Sequence, residues 1–196
     1  MATVNRETWL ENATSLLRPW FEQKGFPLPD RILVSCGWPK RQGGKKGIVG
    51  QTFDPIWTED GTAQIYICPT QSVSVRVLDI LLHELCHTAV GVQAGHAGAF
   101  VELIRSFGLH GKATATRAEP GSPLHEALES ASASLGPYPH SAMRAGHRAT
   151  PTRKPAGGWI KFQSVTDPEY ILRLSPKAFR LYGPPCDFSG KTMVKV

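Results

Sequence analysis

The chain has 196 residues, 41% of them hydrophobic and 19% charged, which suits one good core or one domain with a small appendage and excludes wholesale disorder. No apolar run approaches the ~20 residues of a membrane-spanning helix, so no membrane partner is expected. The formal charge of +6 is unevenly placed: residues 1–135 carry 12 Lys+Arg against 13 Asp+Glu, whereas residues 136–196 carry 10 against 3.

The first residues, MATVNRETWLENATSLL, have neither a basic start nor a continuous apolar segment, and no signal peptide is expected. Residues 5–23 place Trp9, Ala13, Leu16, Leu17 and Trp20 at helical spacing, with Pro19 expected to bend or end the helix early. RILVSCGW (31–38), GIVGQTF (47–53) and AQIYICP (63–69) read as strands, the second preceded by the basic turn KRQGGKKG. The Asp-Gly pair in WTEDGTAQ fits a turn between antiparallel strands. A long helix is expected over about 71–91, with Leu78, Leu82, Leu85 and Ala89 as its apolar stripe and Gly91 as its stop. A second runs over 97–109, and a third over 121–136, capped by Ser122 with Pro123 at its first position. Residues 136–158 are rich in Pro, Gly and basic residues and read as a linker. Beyond them WIKFQSV, YILRLSP and the last residues look like strands. The expected class is α+β: a domain over 1–135 with a long helix, a small antiparallel sheet and flanking helices, then the linker, then a small β-hairpin subdomain over 159–196.

The long helix carries His83-Glu84-Leu85-Cys86-His87, an HExxH pattern. Positions i and i+4 share a helix face, so both imidazoles can reach one metal ion, and Glu84, about 100° round, can touch a water on that ion without displacing it. A catalytic zinc needs a third protein ligand and an open fourth position. His96 is favoured, because Gly91 and Gly95 break the helix and let the chain double back; Glu102, inside the next helix, competes. The HExxHxxGxxH spacing fails, since Val90 stands at its glycine and Gln93 at its third histidine. Asp79, one turn before His83, is a candidate to orient that imidazole from behind. Cys86 lies off the ligand face and reads as a small buried thiol. The four cysteines form no CxxC pair, which suits free thiols in a reducing cytoplasm.

LLHELCH followed by GHAGAF resembles the SprT-like metallopeptidase family, which includes bacterial SprT and the eukaryotic protease Spartan. That family's pattern is HExxH, a loop, and a His-Gly-x-x-Phe-like segment with the third zinc histidine. Here His96, Ala97 and Phe100 occupy those places, with alanine where glycine is usual. The preceding strand AQIYICP is also similar, and GKATAT (111–116) and LGPYPH (135–140) resemble the phage-borne members. The resemblance implies a zincin-like domain, His83, His87 and His96 as zinc ligands, and Glu84 as catalytic acid-base. Many relatives end in a zinc ribbon with two CxxC pairs. In this chain Ser164-Val165-Thr166-Asp167 and Cys186-Asp187-Phe188-Ser189 stand in those places, with one thiol of four. No second, structural zinc is therefore expected. The subdomain is instead expected to hold by packing Trp159, Phe162, Tyr170, Leu172, Phe179 and Tyr182.

These readings predict a zinc peptidase acting on protein substrates, some of them DNA-associated, in the cytoplasm of a bacterial or phage-infected cell. Arg144, Arg148, Arg153, Lys154, Lys161, Arg173, Lys177 and Arg180 are the residues expected to contact DNA phosphates without reading sequence. The alternative is a DNA- or protein-binding accessory protein, such as a phage component, whose zinc site is structural or vestigial.

Overall fold

Helix α1 (Arg6–Gln23) opens the described chain, capped by the Asn5 side chain, and buries Trp9, Leu10, Ala13, Leu17 and Phe21 along one face. Pro19 neither ends nor shortens it: the proline lies on the exposed face, where the loss of one helical hydrogen bond costs least. A computed structural model describes residues 5–39, 47–144 and 158–196, and the chain divides into two compact units, Met1–Gly146 and His147–Val196.

In the first unit, strands β1 (Ile32–Cys36), β2 (Gly50–Phe53) and β3 (Ala63–Ile67) form one sheet in the order β1-β3-β2. The expected all-antiparallel sheet is corrected here: β2 pairs antiparallel with β3, but β1 pairs parallel with it. The reason is topological. The chain returns from β2 into the space between the first two strands, and a strand entering there opposite to β2 runs alongside β1. The four cations of residues 40–46 in the basic turn lie outside the described residues.

The sheet packs on helix α2 (Ser74–Val90), which ends at Gly91. Val77, Leu78, Leu81, Leu82 and Leu85 of α2 are fully buried in one core with Ile65, Ile67 and the apolar face of α1. At roughly 1.5–3 kcal/mol for each large apolar side chain buried, that stripe fixes the helix's rotation, and with it which side chains face out. Helix α3 (Ala99–Phe107) follows and stops at Gly108, in the left-handed region with φ 92°. Strands β4 (Leu109–Lys112) and β5 (Ala115–Ala118) then form a hairpin that the sequence did not lead us to expect. Helix α4 (Pro123–Leu135), capped by Ser122, closes the unit.

Residues 136–144, expected as linker, belong to this unit. Tyr138 is buried against Trp9 with ring centroids 5.0 Å apart, Trp9 Nε1 donates to the Gly136 carbonyl, and Arg6 donates to the carbonyls of Pro139 and Ser141. The linker expected over 136–158 otherwise lies mostly outside the described residues.

The second unit holds strands β6 (Ile160–Gln163) and β7 (Ile171–Leu174), helix α5 (Pro176–Tyr182) and strand β8 (Val194–Lys195), in the antiparallel order β7-β6-β8. The expected aromatic packing is corrected. Phe162 is buried against Phe179, but Trp159 is 68% and Tyr182 81% exposed, and Tyr170, itself exposed, meets Phe188 edge to face. A polar node does much of the joining instead. The hydroxyls of Ser164 (2.6 Å) and Thr166 (2.8 Å) donate to Oδ2 of Asp187, and the Ser189 hydroxyl (2.7 Å) and the Ser189 and Lys191 amides donate to Oδ1. These bonds link the two turns where a ribbon's cysteine pairs would stand. They also hold the Asp187 carboxyl well below the usual carboxylate range, the Ser164 bond contributing most.

No helix among the described residues is long and apolar enough to cross a membrane.

Candidate metal centre

His83 and His87 project from the same side of α2, one turn apart, because the Leu78–Leu82–Leu85 stripe occupies the opposite side. The chain then reverses. Gly91 (φ 85°, ψ 138°) and Gly95 (φ 56°, ψ −130°) take conformations that side chains disfavour, with a short 3-10 turn, Val92–Ala94, between them. That reversal carries His96 back onto the face of α2. Ligand atoms of His83, His87 and His96 all lie within 4.8 Å of one another, the one such metal-compatible group among the described residues. Nε2 of His87 is 3.3 Å from Nε2 of His96. Two nitrogens bound tetrahedrally to zinc at its ordinary bond length stand about 3.3 Å apart, so this spacing fits a shared ion. Glu102 is exposed on α3 and does not join the group.

Each ring is held differently. Nδ1 of His83 lies 2.8 Å from the Thr116 hydroxyl on β5, which leaves its Nε2 for the centre. The buried Nδ1 of His87 has no hydrogen-bond partner among the described residues, and that ring is fixed by stacking on Phe100, centroids 3.9 Å apart and planes 15° from parallel. Phe100, fully buried near the start of α3, also meets the edges or faces of His83 and His96 at 5.1 and 5.2 Å. It is the common floor of the three rings. Burial, reinforced by the neighbouring imidazoles, lowers His83 to about 4 and His87 to about 3, and burial lowers His96 as well. At neutral pH His83 and His87 are therefore unprotonated, the form a metal requires.

Asp79 does not orient His83. Its carboxylate pairs with Arg76 and accepts the Ala118 amide at 3.2 Å, while Arg76 also donates to the Thr116 carbonyl. Asp79 thus holds the edge of β5 against α2, and it is Thr116 on that strand that meets the imidazole. Cys86 is fully buried, and burial pushes its thiol up, away from the thiolate a metal would bind.

Glu84 faces β2. Alternation along that strand points Gly50 and Thr52 at α2 and leaves Gln51 and Phe53 on the other side. The Thr52 hydroxyl lies 2.8 Å from Glu84 Oε2 and 3.0 Å from the Glu84 carbonyl, so its one proton is shared between them. A side chain at Gly50 would start 2.5 Å from Glu84 Oε1. Burial raises the Glu84 carboxyl to about 7 against the opposing hydrogen bond from Thr52. A carboxyl poised there is matched to moving a proton at neutral pH.

The three histidines and Glu84 line a cleft of about 730 Å³, walled on one side by residues 47–52 and on the other by residues 114–117. Gly50, Thr52, Thr116 and Arg76 were not singled out from sequence. Only the alternation in GIVGQTF hinted at the first two, and nothing local marked the others. Of the residues expected to touch DNA, Arg144, Lys161, Arg173, Lys177 and Arg180 are exposed, and Lys161 stands directly opposite Arg173 in the β6–β7 register. Arg148, Arg153 and Lys154 lie outside the described residues. Comparison with protein-family models, with curated proteins and with solved structures returned no match to this chain.

Proposed function

We propose that this chain is a zinc-dependent peptidase of zincin-like, SprT-like type, with His83, His87 and His96 holding one zinc ion and Glu84 as the general base. The observation that carries the reading is the convergence of three imidazoles beside a buried carboxyl raised to about 7, at the floor of an open cleft. Three histidines with an adjacent glutamate suit an open catalytic site better than a closed structural one. Zinc held there supplies Lewis acidity and brings the pKa of water toward neutrality. Glu84 takes the proton from the attacking water and returns it to the leaving amine. Thr52 and the bare backbone at Gly50 fix where that carboxyl stands, and Phe100 and Thr116 fix the rings.

The protein substrate is DNA-associated in this reading, because the exposed cations of the C-terminal unit offer phosphate contacts independent of base sequence. Free cysteines at positions 36, 68, 86 and 186 suit a reducing cytoplasm.

The test compares wild type with Glu84→Gln for zinc content and for cleavage of a DNA-bound protein, with and without single-stranded DNA. Zinc at about one per chain in both, with cleavage in wild type alone, is the expected result. Stoichiometric zinc without cleavage of any DNA-bound protein would overturn the peptidase reading in favour of an accessory protein with a structural or vestigial site.

A further inference from the structure

Among the described residues, the charged ones lining the cleft, histidines apart, are Glu84, Arg76 and Arg117. Arg76 is partly satisfied by Asp79 and by the Thr116 carbonyl. Arg117, the next residue along β5, is exposed and makes no ion pair or side-chain hydrogen bond with another described residue. Arg76 pairs with the buried Asp79 carboxylate and Arg117 acts on it only through space, so among the described residues the positive charge of Arg117 is left without an ion-pair partner. Their position is tied closely to the metal centre. Thr116 alone spans the gap, its carbonyl 3.2 Å from Arg76 and its hydroxyl 2.8 Å from His83.

We infer that this end of the cleft selects a substrate carrying an acidic side chain within about two extended residues of the bond to be cut, with Arg117 as the residue that determines the preference. The inference rests on the peptidase reading of the cleft and names its substrate class. A carboxylate there meets the guanidinium fork of Arg117, and because that side chain is exposed the pairing is modest and screened by salt. Among the described residues, the lining away from the metal centre is apolar or neutral, as at Ile48, Ile80 and Val92, so a basic or neutral side chain beside Arg117 gains no comparable contact.

The test measures binding of the full chain, zinc-loaded and metal-free, to fluorescently labelled peptides blocked at both ends. Blocking leaves the side-chain carboxylate as the one acidic group. The peptides are Glu/Gln twins, with the variable residue moved position by position along the sequence. Wild type is expected to bind the best-placed Glu peptide about twofold to fivefold more tightly than its Gln twin, and the ratio is expected to shrink toward one at ~0.5 M salt. Arg117→Gln is expected to abolish the preference and Arg117→Glu to reverse it, both with unchanged melting temperature because the side chain is exposed. Equal binding of the twins by wild type, or a preference untouched by the Arg117 substitutions, overturns the inference. An Arg117-dependent preference without cleavage of any peptide would support the selectivity and reject the peptidase. Cleavage with no Glu preference would do the reverse.

Discussion

The carboxyl of Glu84 occupies the space that a side chain at Gly50 would fill: a Cβ there would meet Oε1 at 2.5 Å and the Ile80 methyl at 2.7 Å. Gly50→Ala is therefore expected to displace the carboxyl or part β2 from α2, at an overpacking cost of about 1–3 kcal/mol. The atoms such a Cβ would meet first belong to Glu84 and Ile80 rather than to the three histidines. Zinc content should stay near that of wild type while peptide cleavage falls by ~100-fold or more, the scale of losing a positioned general base. Retained cleavage in the alanine variant would show that Glu84 does not need its observed position.

Thr116 is the partner of His83 Nδ1, and its removal should loosen the metal rather than the fold. Thr116→Ala is expected to weaken zinc binding by about 10- to 100-fold in competition against a chromogenic chelator. Thr116→Ser, which keeps the hydroxyl, should recover most of that loss. An alanine variant with wild-type affinity would mean that the Phe100 floor alone orients the rings.

Metal removal and acid should reveal the histidines' lowered protonation. Because His83 and His87 hold protons only below about 4 and 3, protons should not displace zinc until well below the ordinary histidine value. Zinc is expected to remain bound at pH ~5.5, where an unperturbed imidazole is mostly protonated. Zinc at about one hundred times its dissociation constant should stabilise the folded chain by ~2.7 kcal/mol, read as a rise in melting temperature that a chelator reverses.

Asp187 joins the two turns of the C-terminal unit, so Asp187→Asn should destabilise that unit in a pH-dependent way. The carboxyl is lowered in the folded state, so its stabilisation is present above the unfolded value near 3.8 and is lost as pH falls toward the folded one. Denaturation of wild type and Asp187→Asn, followed by the NMR resonances of β6 and β7, should differ at pH 7 and converge in strong acid. A constant difference across that range would show that the node's charge carries none of the stabilisation.

Helix ends are legible at several residues that announce them. Ser122 with Pro123 marks the start of α4, and Gly91 and Gly108 mark the ends of α2 and α3. The same signature, Ser175, Pro176 and a closing Gly183, starts and stops α5, but its seven residues are too few to show a helical period beside the strand-like YILRLSP. The β4–β5 hairpin was missed for another reason. It is short and mostly exposed, and the hydrogen bonds that hold it to α2 come from Arg76 and Asp79, some forty residues earlier.

Asp79 shows the limit of arguing from a helical wheel. Its place one turn before His83 was right, but its carboxylate turned toward a backbone amide that periodicity cannot reveal. The aromatic residues of the C-terminal unit failed similarly. Composition suggested a core, whereas the fold leaves most of them exposed and ties its turns through Asp187.

By itself the sequence determined the HExxH helix, its apolar stripe and the glycine reversal that brings His96 back. All three depend on backbone preferences and spacings within about two dozen residues. Only the tertiary structure decided what surrounds that group: Gly50 and Thr52 against Glu84, Thr116 against His83, Phe100 beneath the rings, and Arg117 at the cleft's end. Apart from Phe100, these partners come from strands about thirty residues before or after the helix. Their approach is set by how sheet and hairpin pack on α2, and no local period in the chain encodes that packing.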